Sequence, residues 1–106
     1  MELSGYLEES LEGKTFEDYK TDWRLRFQVE RIVANITDQL VQMVNMFPEL
    51  KAGISKLKDI RGFRNRIVHA YKHVSDKIVW DVANNWMPEL FDEVRAILAS
   101  IGERDD

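Results

Sequence analysis

The sequence predicts an all-α protein, and two observations carry that prediction. Apolar residues recur at spacings of three and four along almost the whole chain, which places them on one face of each of a series of helices. Candidate capping and stop residues fall at the ends of these periodic segments. The 106 residues are 44% hydrophobic and 32% charged, which argues against disorder and predicts one soluble domain over residues 1–106.

The chain begins with a short helix followed by a capped turn. The first helix covers residues 2–11, and Gly13 ends it. Thr15 is placed to cap a short turn over residues 16–19, with Asp18 as its capping-box partner. The apolar face of the first helix consists of Leu3, Tyr6, Leu7 and Leu11.

A long helix over residues 21–46 and a third helix over residues 55–71 follow. Pro48 ends the long helix, because a proline pushes the residue before it out of the helical region. Ser55 is the expected cap of the third helix, and Asp59 lies in its first turn, where a negative charge is favourable. The predicted inward positions of these two helices are Leu25, Val29, Ile32, Val33, Ile36, Leu40, Met43, Val44, Ile60, Phe63, Ile67, Ala70 and Val74.

The fourth helix covers residues 76–100, with Ser75 as its cap. Pro88 lies inside the periodic pattern, so we expect a kink or a break near Asn85. Gly102 should begin a frayed tail. The predicted inward positions are Ile78, Val79, Val82, Trp86, Leu90, Val94 and Leu98. The large aromatic side chains that either fill this small core or mark an interface are Trp23, Trp80 and Trp86.

Charge is distributed unevenly along the chain. Its 15 basic and 19 acidic residues give a net charge of −4, which excludes a wholly basic nucleic-acid binder. Residues 51–72 nevertheless contain seven bases and one acid, so this segment carries +6 and the rest of the chain carries −10. A basic third helix on an acidic body can attract phosphate groups. A solvated helix face whose bases pair with acids on neighbouring helices is equally open.

Several classes of protein and site are excluded by what the chain lacks. Without cysteine there is no disulfide framework, thiolate metal site or cysteine nucleophile, and no glycine-rich loop is available to cradle a nucleotide phosphate. No apolar run approaches the ~20 residues that cross a bilayer, and the acidic start of the chain is unlike a signal peptide. We therefore expect a cytoplasmic protein with no membrane contact, no cofactor and no metal.

The candidates for chemistry converge on the segment RNRIVHAY, residues 64–71. On a helix, Asn65 and His69 share a face because they are four residues apart, and Arg64 and Tyr71 lie on one line two turns apart. Arg64 and His69 are five residues apart, so their side chains diverge by roughly 140°. A long arginine can curl toward the histidine, or a second copy of the helix can complete the site, which is a reason to expect a dimer.

These residue types suit metal-independent cleavage of RNA. A histidine transfers protons near neutral pH, and an arginine presents a fixed fork of donors to phosphate oxygens. The ribose 2′-OH would attack its own phosphate while His69 moves a proton and Arg64 stabilises the pentacoordinate charge. Alternatives from the residues alone stay open: an idle histidine, an Arg64 engaged in a helix-to-helix ion pair, or a metal held by His69 and His73, which lack an evident third ligand nearby.

The segment RNRIVHAY and its surroundings resemble the HEPN superfamily, specifically the HepT-like toxins that accompany minimal nucleotidyltransferase antitoxins. The family hallmark Arg-x4-His-x-Tyr is matched in full by Arg64, His69 and Tyr71. Similarity extends to LEGKTFEDYKTD, DIRGFRNRIVHAY and DKIVWDVANNWMPELFDEVRAIL, so nearly the whole chain is covered. Two departures are a first helix shorter than the usual family start and Leu57, which stands where a tryptophan is expected.

The resemblance implies an antiparallel four- to five-helix bundle that forms a homodimer and acts as an RNase toxin. It implies Arg64 and His69 as catalytic residues, Asn65 as a residue that shapes the site, and Tyr71 as the acceptor of AMP from the partner nucleotidyltransferase. Phosphate groups added there would compete for the donors of Arg64 and repel the RNA backbone. The neighbouring residues expected to bind RNA are Arg61, Arg66, Lys72 and His73.

Two alternatives to the toxin stay open. One is a catalytically inactive HEPN bundle that serves as a binding subunit of the nucleotidyltransferase. The other is a dimeric scaffold whose basic helix pairs with acidic surfaces.

Overall fold

Helices account for most of the computed structural model, which describes the backbone of residues 2–68 and 75–104 and the side chains of residues 4–67 and 75–100. Within those ranges there is no β-strand, so the all-α prediction is confirmed. The elements are α1 (Glu2–Leu11), α2 (Phe16–Thr21), α3 (Trp23–Met46), a 3₁₀ turn (Pro48–Gly53), α4 (Leu57–Val68), α5 (Asp76–Asp81), a π turn (Val82–Trp86) and α6 (Met87–Arg104).

Local hydrogen bonds set the first helix boundaries. Gly13 has a φ of 71°, in the left-handed region that glycine favours, and it follows the end of α1 as predicted. Thr15 and Asp18 form the predicted capping box, with Thr15 Oγ1 accepting from the Asp18 N–H at 3.2 Å and the Asp18 carboxylate accepting from the Thr15 N–H at 2.9 Å. That hydrogen bond from the Thr15 backbone holds the pKa of the Asp18 carboxyl below its ordinary value. The long helix begins two residues later than predicted, because the Asp22 carboxylate caps it by accepting from the Arg24 N–H at 3.0 Å.

α3 and α4 run antiparallel, and this arrangement positions the candidate site. α3 has 24 residues and ends just before Phe47 and Pro48, as predicted, and the 3₁₀ turn then reverses the chain. Arg61 on α4 contacts Asn45 on α3, whereas Arg64, further along α4, contacts Asp38, which lies earlier on α3. Residue numbers therefore rise on one helix as they fall on the other.

Apolar side chains of α3 form the centre of the core, on the face that periodicity predicts. The buried apolar residues of this helix are Leu25, Val29, Val33, Ile36, Leu40 and Val44. Beside them, the buried Tyr19 packs against Trp80 with ring centroids 5.4 Å apart, and burial raises the pKa of the Tyr19 hydroxyl above its ordinary value. Trp80 and Trp86 pack against the core, whereas Trp23 is 63% exposed.

Four residues predicted to point inward are exposed to solvent. They are Tyr6 at 54%, Met43 at 42%, Ile78 at 38% and Leu98 at 60%. Each belongs to the apolar face that periodicity predicts for its helix. Periodicity gives the direction of such a face, but the width that is covered depends on where neighbouring helices lie. Three further residues that were predicted to point inward lie outside the described side chains, namely Leu3, Ala70 and Val74.

α4 begins at Leu57 rather than at Ser55, and the predicted Ser55 cap is wrong. Ser55 turns toward α6 instead: its N–H donates to Glu93 Oε2 at 2.7 Å, and its hydroxyl lies 2.9 Å from Glu93 Oε1 and 3.1 Å from Glu89 Oε1. These carboxylates fasten the start of α4 to α6. Asp59 lies in the first turn of α4, as predicted. The predicted C-terminal end of this helix lies outside the described residues.

The distortion expected near Asn85 is a π turn over Val82–Trp86. The Met87 N–H donates to the Val82 carbonyl, five residues back rather than four. Pro88, which lacks an N–H, follows directly in the first turn of α6, where a missing donor costs least. The helical path therefore widens at this point instead of breaking.

The predicted start of the last helical segment is confirmed, and its predicted end is wrong. Ser75 caps α5 by accepting from the Ile78 N–H at 3.2 Å. α6 continues through Gly102 to Arg104, because a single glycine lowers helix stability by only about 1 kcal/mol. None of the helices in the part of the chain that the structure describes has the length and apolar character needed to cross a membrane.

Candidate active site

Arg64 lies at the edge where α4 meets α3. The buried residues Leu57, Ile60 and Phe63 recur at a spacing of three and hold α4 against the core. Arg64 lies four residues after Ile60 and seven after Leu57, so its side chain leaves α4 beside these buried residues, and it is 32% exposed. A cation at such an edge can reach both a neighbouring helix and solvent.

An ion pair with Asp38 of α3 fixes the Arg64 guanidinium. Arg64 Nη2 lies 2.9 Å and Nε lies 3.2 Å from the same oxygen, Asp38 Oδ1. The second carboxylate oxygen of Asp38 accepts from Gln42 Nε2 at 2.8 Å. On the other side of the guanidinium, Nη1 lies 3.4 Å from Asn65 Oδ1. The helix-to-helix ion pair considered for Arg64 is therefore present.

These contacts leave part of the guanidinium available. A guanidinium carries five N–H donors, and three of them are matched to acceptors on Asp38 and Asn65. Among the described contacts, one N–H on each Nη nitrogen remains for a further acceptor. Two such donors in one plane suit two oxygens of a phosphate.

Asp38 is a site residue that the sequence analysis missed. One signal was available, because Asp38 is the single acidic residue in residues 31–46 of α3. An arginine on a helix that packs antiparallel to this stretch therefore has one carboxylate within reach. Recognising it requires the register between the two helices, which the sequence pattern does not provide.

The structure separates the predicted RNA-binding arginines into two groups. Arg61 lies on the same side of α4 as Arg64, and its Nη2 is 3.4 Å from Asn45 Oδ1. Arg66 lies two residues after Arg64, which turns it away by roughly 160°. Arg66 lines a separate groove of about 250 Å³, together with Lys58, Ile78 and Trp86 among others.

The remaining predicted site residues, His69, Tyr71, Lys72 and His73, lie outside the described residues. Asn65 is exposed and contacts Arg64. In the described ranges, no group of three or more His, Asp or Glu side chains could hold a metal ion.

The sequence places this helical chain in a class of ribonucleases. A family model described as "Ribonuclease HepT-like" matches residues 2–97, and the chain belongs to this HepT-like family. The resemblance stated from the RNRIVHAY segment is thereby confirmed.

One curated relative is a protein of Caldanaerobacter subterraneus subsp. tengcongensis named "Putative RNase TTE0752". It is 29% identical to this chain over 93 residues, which cover 88% of the chain and 82% of the relative. No solved structure matches the chain.

Proposed function

We propose that this protein is a metal-independent endoribonuclease that acts as the toxin of a toxin–antitoxin pair. The observation that carries the proposal is Arg64: its guanidinium is held in place by Asp38, and its contacts with the described residues leave two N–H donors for an incoming phosphate. Membership of a ribonuclease family makes an RNA phosphate the natural acceptor. His69, five residues further along the sequence, supplies an imidazole, the side chain that most often transfers protons in enzymes.

The proposed reaction needs no metal and no external nucleophile. The ribose 2′-OH attacks the adjacent phosphorus, the bond to the next nucleotide's 5′ oxygen breaks, and a 2′,3′-cyclic phosphate and a 5′-hydroxyl result. His69 transfers a proton between these oxygens, and Arg64 donates hydrogen bonds to the non-bridging oxygens as their charge increases. Asn65 shapes the site beside Arg64.

We propose that the working unit is a homodimer. Arg64 and His69 diverge by roughly 140° on one regular helix, so two copies facing each other would combine them more directly than one copy alone. An exposed aromatic surface supports this arrangement, because Trp23 and Phe27 are 63% and 62% exposed. Phe27 and Asp38 lie eleven residues apart, about three turns, on one line along α3 and roughly 16 Å apart. A second copy that covers this surface would bring two Arg64 sites toward one cleft.

We further propose that a partner nucleotidyltransferase neutralises the toxin by transferring AMP to Tyr71. On a regular helix Tyr71 lies on one line with Arg64, two turns away. The added phosphate would accept hydrogen bonds from the Arg64 guanidinium and would repel the RNA backbone. The transfer would therefore remove the group that carries the proposed activity without unfolding the protein.

Cleavage by matched arginine variants tests the nuclease. Purified protein is incubated with RNA in EDTA, and the products are analysed for 2′,3′-cyclic phosphate ends. Arg64→Ala should lower the cleavage rate by about 100-fold or more, as loss of one preorganised donor group does elsewhere, and His69→Ala should abolish it. Arg95→Ala is the matched control, since Arg95 also forms a surface ion pair, 2.8 Å from Asp92 on α6. Intact RNA and harmless overexpression of the wild type would favour the inactive binding subunit instead.

The dimer and the modification have separate tests. Light scattering should report a dimer for the wild type and a monomer for the Trp23→Ala/Phe27→Ala double variant, while Met46→Ala, which alters another 72% exposed residue of α3, should stay dimeric. A monomeric wild type would contradict the dimer.

Mass spectrometry after incubation with ATP, magnesium and the partner transferase should find AMP on Tyr71. Full neutralisation with Tyr71 unmodified would point to inhibition by complex formation.

A further inference from the structure

We propose that Asp38 is a positioning residue that orients Arg64 toward the RNA phosphate. This inference rests on the proposed nuclease function and deepens it by assigning a role to a residue of a different helix. Asp38 belongs to α3, and Arg64 belongs to α4, so the contact joins two helices through residues that are 26 positions apart in the sequence.

The geometry of the contact favours orientation over simple charge pairing. Both Nε and Nη2 of Arg64 donate to one oxygen of Asp38, which fixes the plane of the guanidinium as well as its distance. Gln42, one turn further along α3, donates to the other oxygen at 2.8 Å and thereby holds the carboxylate. An arginine without such an anchor samples many rotamers, and a displacement of about 1 Å at a reacting centre can cost 100-fold in rate.

The negative charge of Asp38 should weaken RNA binding, whereas its orienting contact with Arg64 should speed cleavage. These two effects can be separated by experiment. A carboxylate beside a phosphate site repels RNA in the ground state and competes for the same donors. A residue that only strengthened RNA binding would therefore not be acidic here. If Asp38 orients Arg64, its removal should slow cleavage while RNA binding stays equal or becomes tighter.

A role in folding alone is the alternative to a role in orienting Arg64, and the two predict different results for a variant that lacks Asp38. The side chains of Arg64 and Asp38 are 32% and 38% exposed, and ion pairs with this exposure contribute little to stability. Loss of the pair should therefore leave the fold intact. If Asp38 mattered only through folding, then RNA binding and cleavage would decline together with the melting temperature.

The experiment compares Asp38→Ala, Asp38→Glu and the control Asp92→Ala, which removes the same charge from another arginine ion pair. Cleavage is followed with RNA, and affinity is measured with a 2′-O-methyl oligonucleotide that cannot react. Asp38→Ala should lower kcat by about 10- to 100-fold, with KM and the affinity for the inert oligonucleotide unchanged or improved. Asp38→Glu should recover part of kcat, and Asp92→Ala should match the wild type. Unchanged or faster cleavage by Asp38→Ala would overturn the proposal, as would equal losses of binding and cleavage.

An NMR measurement distinguishes failure of this inference from failure of the proposed function. In ¹⁵N-labelled wild type, the Arg64 Nε–H, assigned by its absence in Arg64→Lys, should exchange slowly with solvent because it donates to Asp38. Asp38→Ala should abolish that protection. Protection that depends on Asp38 in a protein that leaves RNA intact would refute the nuclease but retain the orienting contact. Protection that is the same in both proteins would refute the orienting role, whether or not RNA is cleaved.

Discussion

Arg61 and Arg66 carry the same charge but lie on different flanks of α4, so their contributions to RNA binding can be compared by mutation. Arg61→Ala and Arg66→Ala remove one positive charge each from the same helix. Arg61 lies on the flank of Arg64 and contacts Asn45, whereas Arg66 lies in a groove with Lys58 and Trp86. If the RNA strand follows the Arg64 flank, then Arg61→Ala should weaken RNA binding more than Arg66→Ala.

The size of the difference follows from counterion release. Each phosphate contact on a single strand contributes about 0.7 to the slope of log K against log salt. Arg61→Ala should therefore reduce the magnitude of that slope by about 0.7 for one contact, or about 1.4 for both copies in the proposed dimer. Arg66→Ala should leave the slope within error of the wild type.

Fluorescence anisotropy with a labelled 2′-O-methyl oligonucleotide, measured over a series of KCl concentrations, provides the slope without cleavage. The two variants serve as controls for each other, because they change the net charge equally. Equal reductions of the slope would refute the reasoning, since the strand would then not be confined to the Arg64 flank. A larger effect of Arg66→Ala would transfer the RNA path to the Trp86 groove.

Three predictions concern the stability of the fold. The pKa of Asp18 is lowered in the folded protein, so the stability that its capping carboxylate contributes is present above pH 3.8 and is lost as the pH falls through the lower folded-state pKa. In thermal melts, the melting temperature of Asp18→Asn should therefore depend less on acid pH than that of the wild type. The pKa of Tyr19 is raised above 10.0, so stability should fall as the pH rises past that value, and Tyr19→Phe should flatten this loss in alkaline denaturant titrations. Gly13→Ala should lower the free energy of unfolding by about 1 kcal/mol, because φ is positive at this position. Gly5→Ala should raise it by about 0.5–1 kcal/mol, because Gly5 lies within α1 and an added methyl group would meet open space. Urea titrations that give changes of the same sign for both variants would contradict this account.

Features governed by neighbours in the sequence were predictable. The Thr15 and Asp18 capping box depends on residues three positions apart, and the Ser75 cap depends on a bond to Ile78. The burial of Phe63 followed from its place in the apolar pattern.

Features governed by contacts between helices were not predictable in the same way. Asp38 contacts Arg64 across 26 residues, and Ser55 contacts Glu93 across 38, so each partner depends on helix register. The exposure of Met43 depends on how much of α3 its neighbours cover. Pro88 predicted a local distortion, but only the structure shows that it takes the form of a wider turn.

The π turn over Val82–Trp86 has a consequence for how chain length can vary. A bond that reaches five residues back encloses one residue more than the regular bond of an α-helix. Loss of one residue there would let the backbone close with ordinary spacing, and Leu90 and Phe91 would still point toward the core. The same deletion in the middle of α3 would rotate everything beyond it by about 100° and would separate Asp38 from its arginine. Homologues that differ by a single amino acid in this region should therefore carry the gap at the wide turn.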